Sequence, residues 1–250
     1  SSKRYKENIV GLAVDTSKVY DLVPKTFKWK DFEEPVIDEN GITDEIVTVI
    51  GKTDFGLIAE EVHEVLKYPD FVNILKEAYA GSYTMPPRKV FLLEEGSHDA
   101  FALLPSWNDN VIGVKSFTYF PHNEDPYKSL YSKILLFDRK HGEPLALVDG
   151  ISVTFFRTAG VSALASQFLS REDSETLLLL GTGNLARFLI RAHASVRPLK
   201  KILLWGRTKA NAEAVVADMQ KELPEIEFVV ADDIQTACGQ ADIVVGATGS

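Results

Sequence analysis

The chain has 250 residues, 45% hydrophobic and 25% charged, with a net charge of −9. Such a length holds one large domain or two modest ones of ordinary globular composition, and the acidic balance argues against nucleic acid and anionic membranes as partners. No apolar run approaches the ~20 residues that span a bilayer, no secretory signal is seen, and Cys238 stands alone, which excludes an intrachain disulfide or a thiolate zinc site and fits a reducing, cytoplasmic setting.

Residues 1–45 read as polar and irregular, an N-terminal extension without an assignable role. Residues 46–50 suit a strand, and 53–68 and 69–80 suit helices. After a break at 81–88, strands are expected over 90–93, 100–105, 112–120, 133–138 and 144–148. Asp138-Arg139-Lys140-His141-Gly142 forms the hairpin turn between the last two. A helix over 162–169 leads to a short charged stretch, 171–174, taken as a domain boundary. This divides the chain into a first domain at 46–172 and a second at 173–250. His63, His141 and His193 read as surface residues, His98 as a loop residue and His122 as structural. Cys238 reads as a small core residue, and no metal-ligand spacing is present.

The most informative stretch is Leu177-Leu178-Leu179-Leu180-Gly181-Thr182-Gly183-Asn184-Leu185-Ala186. A buried parallel strand (176–180) breaks into a Gly-x-Gly-x-x-Ala turn and enters a helix (184–196). Gly181 permits the turn, Gly183 leaves room for a pyrophosphate, and Ala186 lets helix and strand pack closely. The helix N-terminus offers free N–H groups to the phosphates. A strand at 201–205, a helix at 208–223 and strands at 226–231 and 241–247 follow. This alternation implies a parallel sheet with right-handed crossovers. The sequence stops soon after the fourth strand, so only the first half of a dinucleotide domain is expected, with C-terminal sequence missing. At the end of the second strand, Trp205-Gly206-Arg207-Thr208 carries no acid for a ribose 2′-hydroxyl. Arg207 is placed to meet a 2′-phosphate, which favours NADP(H) over NAD(H). The alternative is that Arg207 is a solvated loop cation.

Three segments together resemble the ornithine cyclodeaminase/μ-crystallin family. They are Pro86-Pro87-Arg88-Lys89 with Leu103-Leu104-Pro105; Gly113-Val114-Lys115-Ser116 with Tyr119-Phe120-Pro121-His122-Asn123; and Leu147-Val148-Asp149-Gly150 with Thr154-Phe155-Phe156-Arg157-Thr158-Ala159-Gly160-Val161-Ser162. The match runs from about residue 46 to the end. It implies an α/β fold: an α+β substrate and dimerisation domain on a mixed sheet, followed by a Rossmann domain. It also implies a homodimer and a nicotinamide cofactor acting on amino or imino acids.

The resemblance makes Arg88, Lys115 and Arg157 the positions that grip the substrate carboxylate. Lys115 would also stand near the reacting C=N and help in proton transfer. Read on its residues alone, Arg157 lies in an apolar setting and calls for a charge partner. The cofactor positions it implies are Thr158, Gly181, Thr182, Gly183, Asn184, Leu185, Arg207, Thr208, Ala247 and Thr248. Ala102 stands where ornithine cyclodeaminases carry an acid, and Leu104 replaces a Met. A substrate with a free side-chain ammonium would therefore lose its counter-charge. The expected activity is NADPH-dependent reduction of an α-imino acid, such as 1-pyrroline-2-carboxylate or 1-piperideine-2-carboxylate. The alternatives are an ornithine cyclodeaminase or amino acid dehydrogenase, and a non-catalytic NADPH-binding protein.

Overall fold

In this computed structural model residues 66–248 are described in full, and five strands between residues 6 and 56 are described by their backbone. The chain divides into two compact units, residues 1–65 with 83–152 and residues 66–82 with 153–250. The division falls inside a helix; the expected boundary at 171–174 lies within the second unit.

In the first unit, the segment read as irregular holds strands. β1 (Lys6–Gly11), β2 (Lys25–Trp29) and, further along, β5 (Thr53–Gly56) form an antiparallel sheet in the order β1-β2-β5. β3 (Phe32–Asp38) and β4 (Gly41–Val49) form a two-stranded ribbon. β4 is rich in β-branched residues, and a two-stranded ribbon has only edge strands, where Pro35 of β3 is tolerated. Residues 53–56 are thus strand and not helix; His63 lies outside the described residues.

The second sheet of this unit is a meander of β6 (Lys89–Leu92), β7 (Ala100–Trp107), β8 (Val111–Tyr119), β9 (Leu130–Asp138) and β10 (Pro144–Asp149). Its order is β10-β9-β8-β7-β6, with every pairing antiparallel. Turn chemistry fixes the register. Asn108 Oδ1 accepts from the N–H groups of Asn110 and Val111, both at 2.9 Å. The β9–β10 hairpin closes as expected, with Asp138 N–H donating to the Glu143 carbonyl at 2.8 Å.

The second unit opens with α1 (Tyr68–Ala80) and contains most of α2 (Gly150–Leu169). It continues as β11 (Thr176–Leu180), α3 (Asn184–Ala194), β12 (Lys201–Trp205), α4 (Lys209–Glu222), β13 (Glu227–Val230), α5 (Ile234–Gln240) and β14 (Ile243–Gly246). The four strands are parallel in the order β13-β12-β11-β14. β11 is central, and Leu177, Leu178 and Leu179 are fully buried. A strand covered on both faces reads as a continuous apolar run, which is why it shows in the sequence.

α2 begins twelve residues earlier than the helix expected from the sequence. Its first half, Gly-Ile-Ser-Val-Thr-Phe-Phe, is rich in residues that favour strands, and tertiary burial overrides that preference. Phe156, Ala159 and Ala163 are buried. α1 crosses α2 at Gly160, where a Cβ would come within 2.8 Å of Leu75 Cδ1. Phe156 stacks on Tyr68 at 5.1 Å, and Phe155 on Phe188 of α3 at 5.1 Å.

Two further expectations are corrected here. His193 is wholly buried: with Ala186, Leu189 and Ile190 it completes the inward stripe of α3 at helical spacing. Its Nε2 and Nδ1 lie 3.0 and 3.1 Å from the hydroxyls of Ser162 and Ser166, and burial pushes its pKa down to about 4. Cys238 is exposed, because Ala237 is the buried residue of α5 and the next position turns away by about 100°. Arg197, also buried, donates to the carbonyls of Ser166, Gln167 and Ser170 and so satisfies the end of α2.

Candidate functional site

The candidate dinucleotide site of the second unit consists of backbone at the carboxyl ends of β11, β12 and β14. Gly181 has φ +124°, a conformation side chains rarely adopt, and a Cβ there would run into the carbonyl of Ala247. The turn is stitched to both neighbouring strands. Gly181 N–H donates to the Trp205 carbonyl at 2.8 Å, and Ala247 N–H donates to the Leu180 carbonyl at 2.7 Å.

Gly183 is different. Its backbone is extended (φ −72°, ψ −177°), and a Cβ there would meet nothing within 4 Å. No described residue requires glycine at this position. Its effect is to leave open space at the N-terminus of α3, where no side chain caps the helix. The N–H groups of Asn184 and Leu185 have no intrahelical acceptor, and with the positive end of the helix dipole they are chemically suited to an anion. A pyrophosphate fits this cradle. Ala186, fully buried, packs α3 onto the sheet.

Arg207 and Thr208 follow β12 and are both exposed. Arg207 makes no hydrogen bond or ion pair with a described residue. Thr208 precedes α4 without capping it through its side chain. Ala247 is half-buried and Thr248 exposed, immediately after β14. One contact escaped the sequence reading: a Cβ on Gly206 would lie 2.5 Å from Thr182 Cγ2, so the two turns touch. Only a glycine directly before Arg207 hinted at it.

In the first unit the sheet register brings two of the expected cations together. Leu104 of β7 pairs with Lys115 of β8, and Leu103 pairs with Lys89 of β6. Arg88 precedes Lys89 by one residue, so it stands level with Lys115 on the far side of β7. Two strand spacings separate them, about 10 Å, a gap that two long cationic side chains can close around one carboxylate. Lys115 is half-buried and Arg88 exposed. The neighbouring row is Val90–Ala102–Phe117–Ser132, with Ala102 fully buried and no carboxylate in it.

The third cation, Arg157, belongs to the second unit. It is exposed on α2, with Thr158 half-buried beside it. Neither side chain hydrogen-bonds to a described residue. In the sequence Arg157 stands in an apolar setting that calls for a charge partner; its exposure removes that need, because water solvates the guanidinium. Phe156, the preceding residue, is the one that turns inward. Among the described residues no group of His, Cys, Asp or Glu is arranged to hold a metal ion, and no helix is long and apolar enough to cross a membrane.

Residues 56–250 match the model of the ornithine cyclodeaminase/mu-crystallin family. The chain belongs to that family. Residues 1–73 also match a second model, chaperone of endosialidase. A Delta(1)-pyrroline-2-carboxylate reductase from Colwellia psychrerythraea is 48% identical over 197 residues, covering 77% of this chain and 62% of that protein. Among solved structures, the Delta(1)-pyrroline-2-carboxylate reductase of Thermococcus litoralis in complex with NADH and L-proline is 29% identical, with a TM-score of 0.62 over 77% of this chain and 58% of that one. An archaeal alanine dehydrogenase dimer with bound NAD, 23% identical with a TM-score of 0.67 over 76% of this chain and 58% of that one, shares the fold. The chain spans about three fifths of the length of the relatives it matches.

Proposed function

We propose that the protein serves NADPH-dependent reduction of a cyclic α-imino acid, with 1-pyrroline-2-carboxylate and 1-piperideine-2-carboxylate as the substrates to try first. The observation that carries this reading is the 48% identity to the Colwellia reductase. The cradle at Gly181–Gly183 supports a nicotinamide dinucleotide, which when bound supplies the hydride. Gly181, Thr182, Gly183, Asn184 and Leu185 would hold its pyrophosphate, with Thr158, Ala247 and Thr248 completing the cofactor site. Arg207 and Thr208 would take a 2′-phosphate. The Thermococcus relative carries NADH, so the choice of nucleotide is the finer part of the proposal and rests on Arg207 and the absence of an acid at positions 205–208.

Arg88, Lys115 and Arg157 have the role of orienting the substrate carboxylate. Binding energy spent there converts to rate through proximity and alignment of the reacting carbon. Lys115 is the group assigned to holding or moving a proton at the imine nitrogen. The row beside Lys115 is apolar at Ala102 and Phe117, which suits an uncharged ring and offers nothing to a side-chain ammonium. This disfavours ornithine as substrate.

A homodimer belongs to the same proposal. Val90, Phe91 and Leu92 of the edge strand β6 are between 49% and 66% exposed, an apolar edge of the kind that a second copy covers. Light scattering gives the mass that decides it.

The test of activity is oxidation of NADPH with each ketimine, with NADH and ornithine as controls. Turnover of at least one ketimine, faster with NADPH than with NADH, is the expected result. Tight NADPH binding without turnover of any imino acid would overturn the reading in favour of a binding protein.

A further inference from the structure

We infer that Thr182 is a positioning residue for cofactor choice. Its side chain keeps position 206 free of a Cβ, shuts out the carboxylate that would hold a ribose 2′-hydroxyl, and leaves the 2′ side of the nucleotide to Arg207. This rests on the proposed nicotinamide reading and deepens it.

Gly206 is not among the described glycines with positive φ, which are Gly96, Gly142 and Gly181. Its backbone would accept other residues. The obstacle is a neighbour: a Cβ at 206 would lie 2.5 Å from Thr182 Cγ2 and 3.1 Å from Thr182 Oγ1. Both distances are closer than ordinary packing. Rotation of Thr182 does not clear both. A β-branched side chain places two heavy atoms in three staggered positions, so the rotamer that empties the 2.5 Å position still leaves an atom at the 3.1 Å one, a tight contact that yields only if a neighbour shifts by a few tenths of an ångström.

Backbone relief is blocked as well. Gly181 N–H is bonded to the Trp205 carbonyl at 2.8 Å, directly before Gly206, and Gly181 itself is pressed against Ala247. The phosphate-binding turn and the ribose-reading turn are therefore locked at one point. In the dinucleotide folds that read a ribose with an acid, that acid sits near the end of this second strand. Here the first residue past β12 can carry one only if Thr182 leaves its present rotamer and the remaining contact yields.

The experiment is a double-substitution cycle on the full chain with Thr182→Ala, Gly206→Asp and the pair, and a second cycle with Gly206→Ala. Binding of NADPH and NADH is read by quenching of tryptophan fluorescence (Trp205 ends β12) and by the shift in unfolding midpoint. Gly206→Asp alone is expected to weaken NADPH by about tenfold or more without gaining NADH, whereas in the Thr182→Ala background it gains about tenfold for NADH. Gly206→Ala is expected to lower the unfolding midpoint of the ligand-free protein, and Thr182→Ala to restore it. That second cycle needs no nucleotide and uses the mildest possible side chain. Equal gains of NADH in both backgrounds, or an unfolding midpoint indifferent to Gly206→Ala, would overturn the inference. If the unmutated chain binds neither nucleotide, the underlying reading has failed. If it binds one and the substitutions act independently, the inference alone has failed.

Discussion

The two units carry their candidate sites in different ways. In the second, the cradle consists of backbone: a left-handed glycine, an uncapped helix end and a glycine whose missing side chain leaves space. In the first, the candidate groups are the ends of Arg88 and Lys115, held level by the register of an antiparallel sheet. Such a site is sensitive at Gly181, where a side chain would disturb the main chain, and at Gly183, where it would fill the space left open. A side-chain site can lose a charge and keep its fold.

Four measurements bear on that contrast. The largest effect is expected at Gly181. Replacement by Ala forces a side chain into left-handed backbone and against the Ala247 carbonyl, costing on the order of 3–4 kcal/mol by thermal unfolding and abolishing nucleotide binding. If Gly181→Ala leaves both unchanged, the cradle is not backbone-built. Next, Arg88→Ala and Lys115→Ala are each expected to lower kcat/KM about a hundredfold, near 2.7 kcal/mol, while the unfolding midpoint and NADPH affinity hold. Loss of NADPH affinity instead would blur the distinction between the units.

The third measurement concerns pH. His193 is held at about 4, below its ordinary 6.5, by burial. The unfolded chain therefore takes up a proton that the folded protein refuses. Stability is complete above pH 6.5 and falls by about 1.4 kcal/mol per pH unit as pH drops toward 4. The carboxylates held low in this unit, such as Asp242 with its backbone hydrogen bonds from Glu175 and Thr176, lose their contribution below their ordinary value of 3.8, beneath that range. A pH series of unfolding midpoints reads the slope, and a non-titrating residue at 193 should flatten it. The smallest effect is at Tyr68, whose buried hydroxyl has no hydrogen-bond partner among the described residues. Burial raises its pKa far above the usual phenol value. Tyr68→Phe removes an unsatisfied group and should raise stability by up to about 1 kcal/mol; a loss of that size would mean the hydroxyl is satisfied in solution.

The second unit was also the more legible one. Leu177–Leu180 announces a strand buried on both faces, and Gly181 and Gly183 announce the turn, because parallel sheets and phosphate cradles impose a local pattern. Apart from the end of β4, expected as a strand at 46–50, the first unit's strands before residue 49 hide behind charged residues and prolines, since a short ribbon needs no apolar alternation. α2 was legible only from residue 162 onward; Val153, Phe155 and Phe156 suit a strand as well as a buried helix, and periodicity does not separate the two. His193 was misplaced although its spacing from Ala186, Leu189 and Ile190 was readable, because histidine biases the reading toward the surface. The level placement of Arg88 and Lys115 depends on cross-strand register, which two separate segments do not reveal.

Arg197 gives α2 a property its own residues do not. One guanidinium nitrogen takes three carbonyls from the last turn of that helix, and a second nitrogen takes the Ser170 hydroxyl at 2.9 Å. A slide of α2 along its axis by one residue, about 1.5 Å, would misalign all of them together. The guanidinium thus works as an index pin. Arg157 and Thr158, both about three turns back along the same helix, inherit their height and angular setting from a residue about forty positions away in the chain.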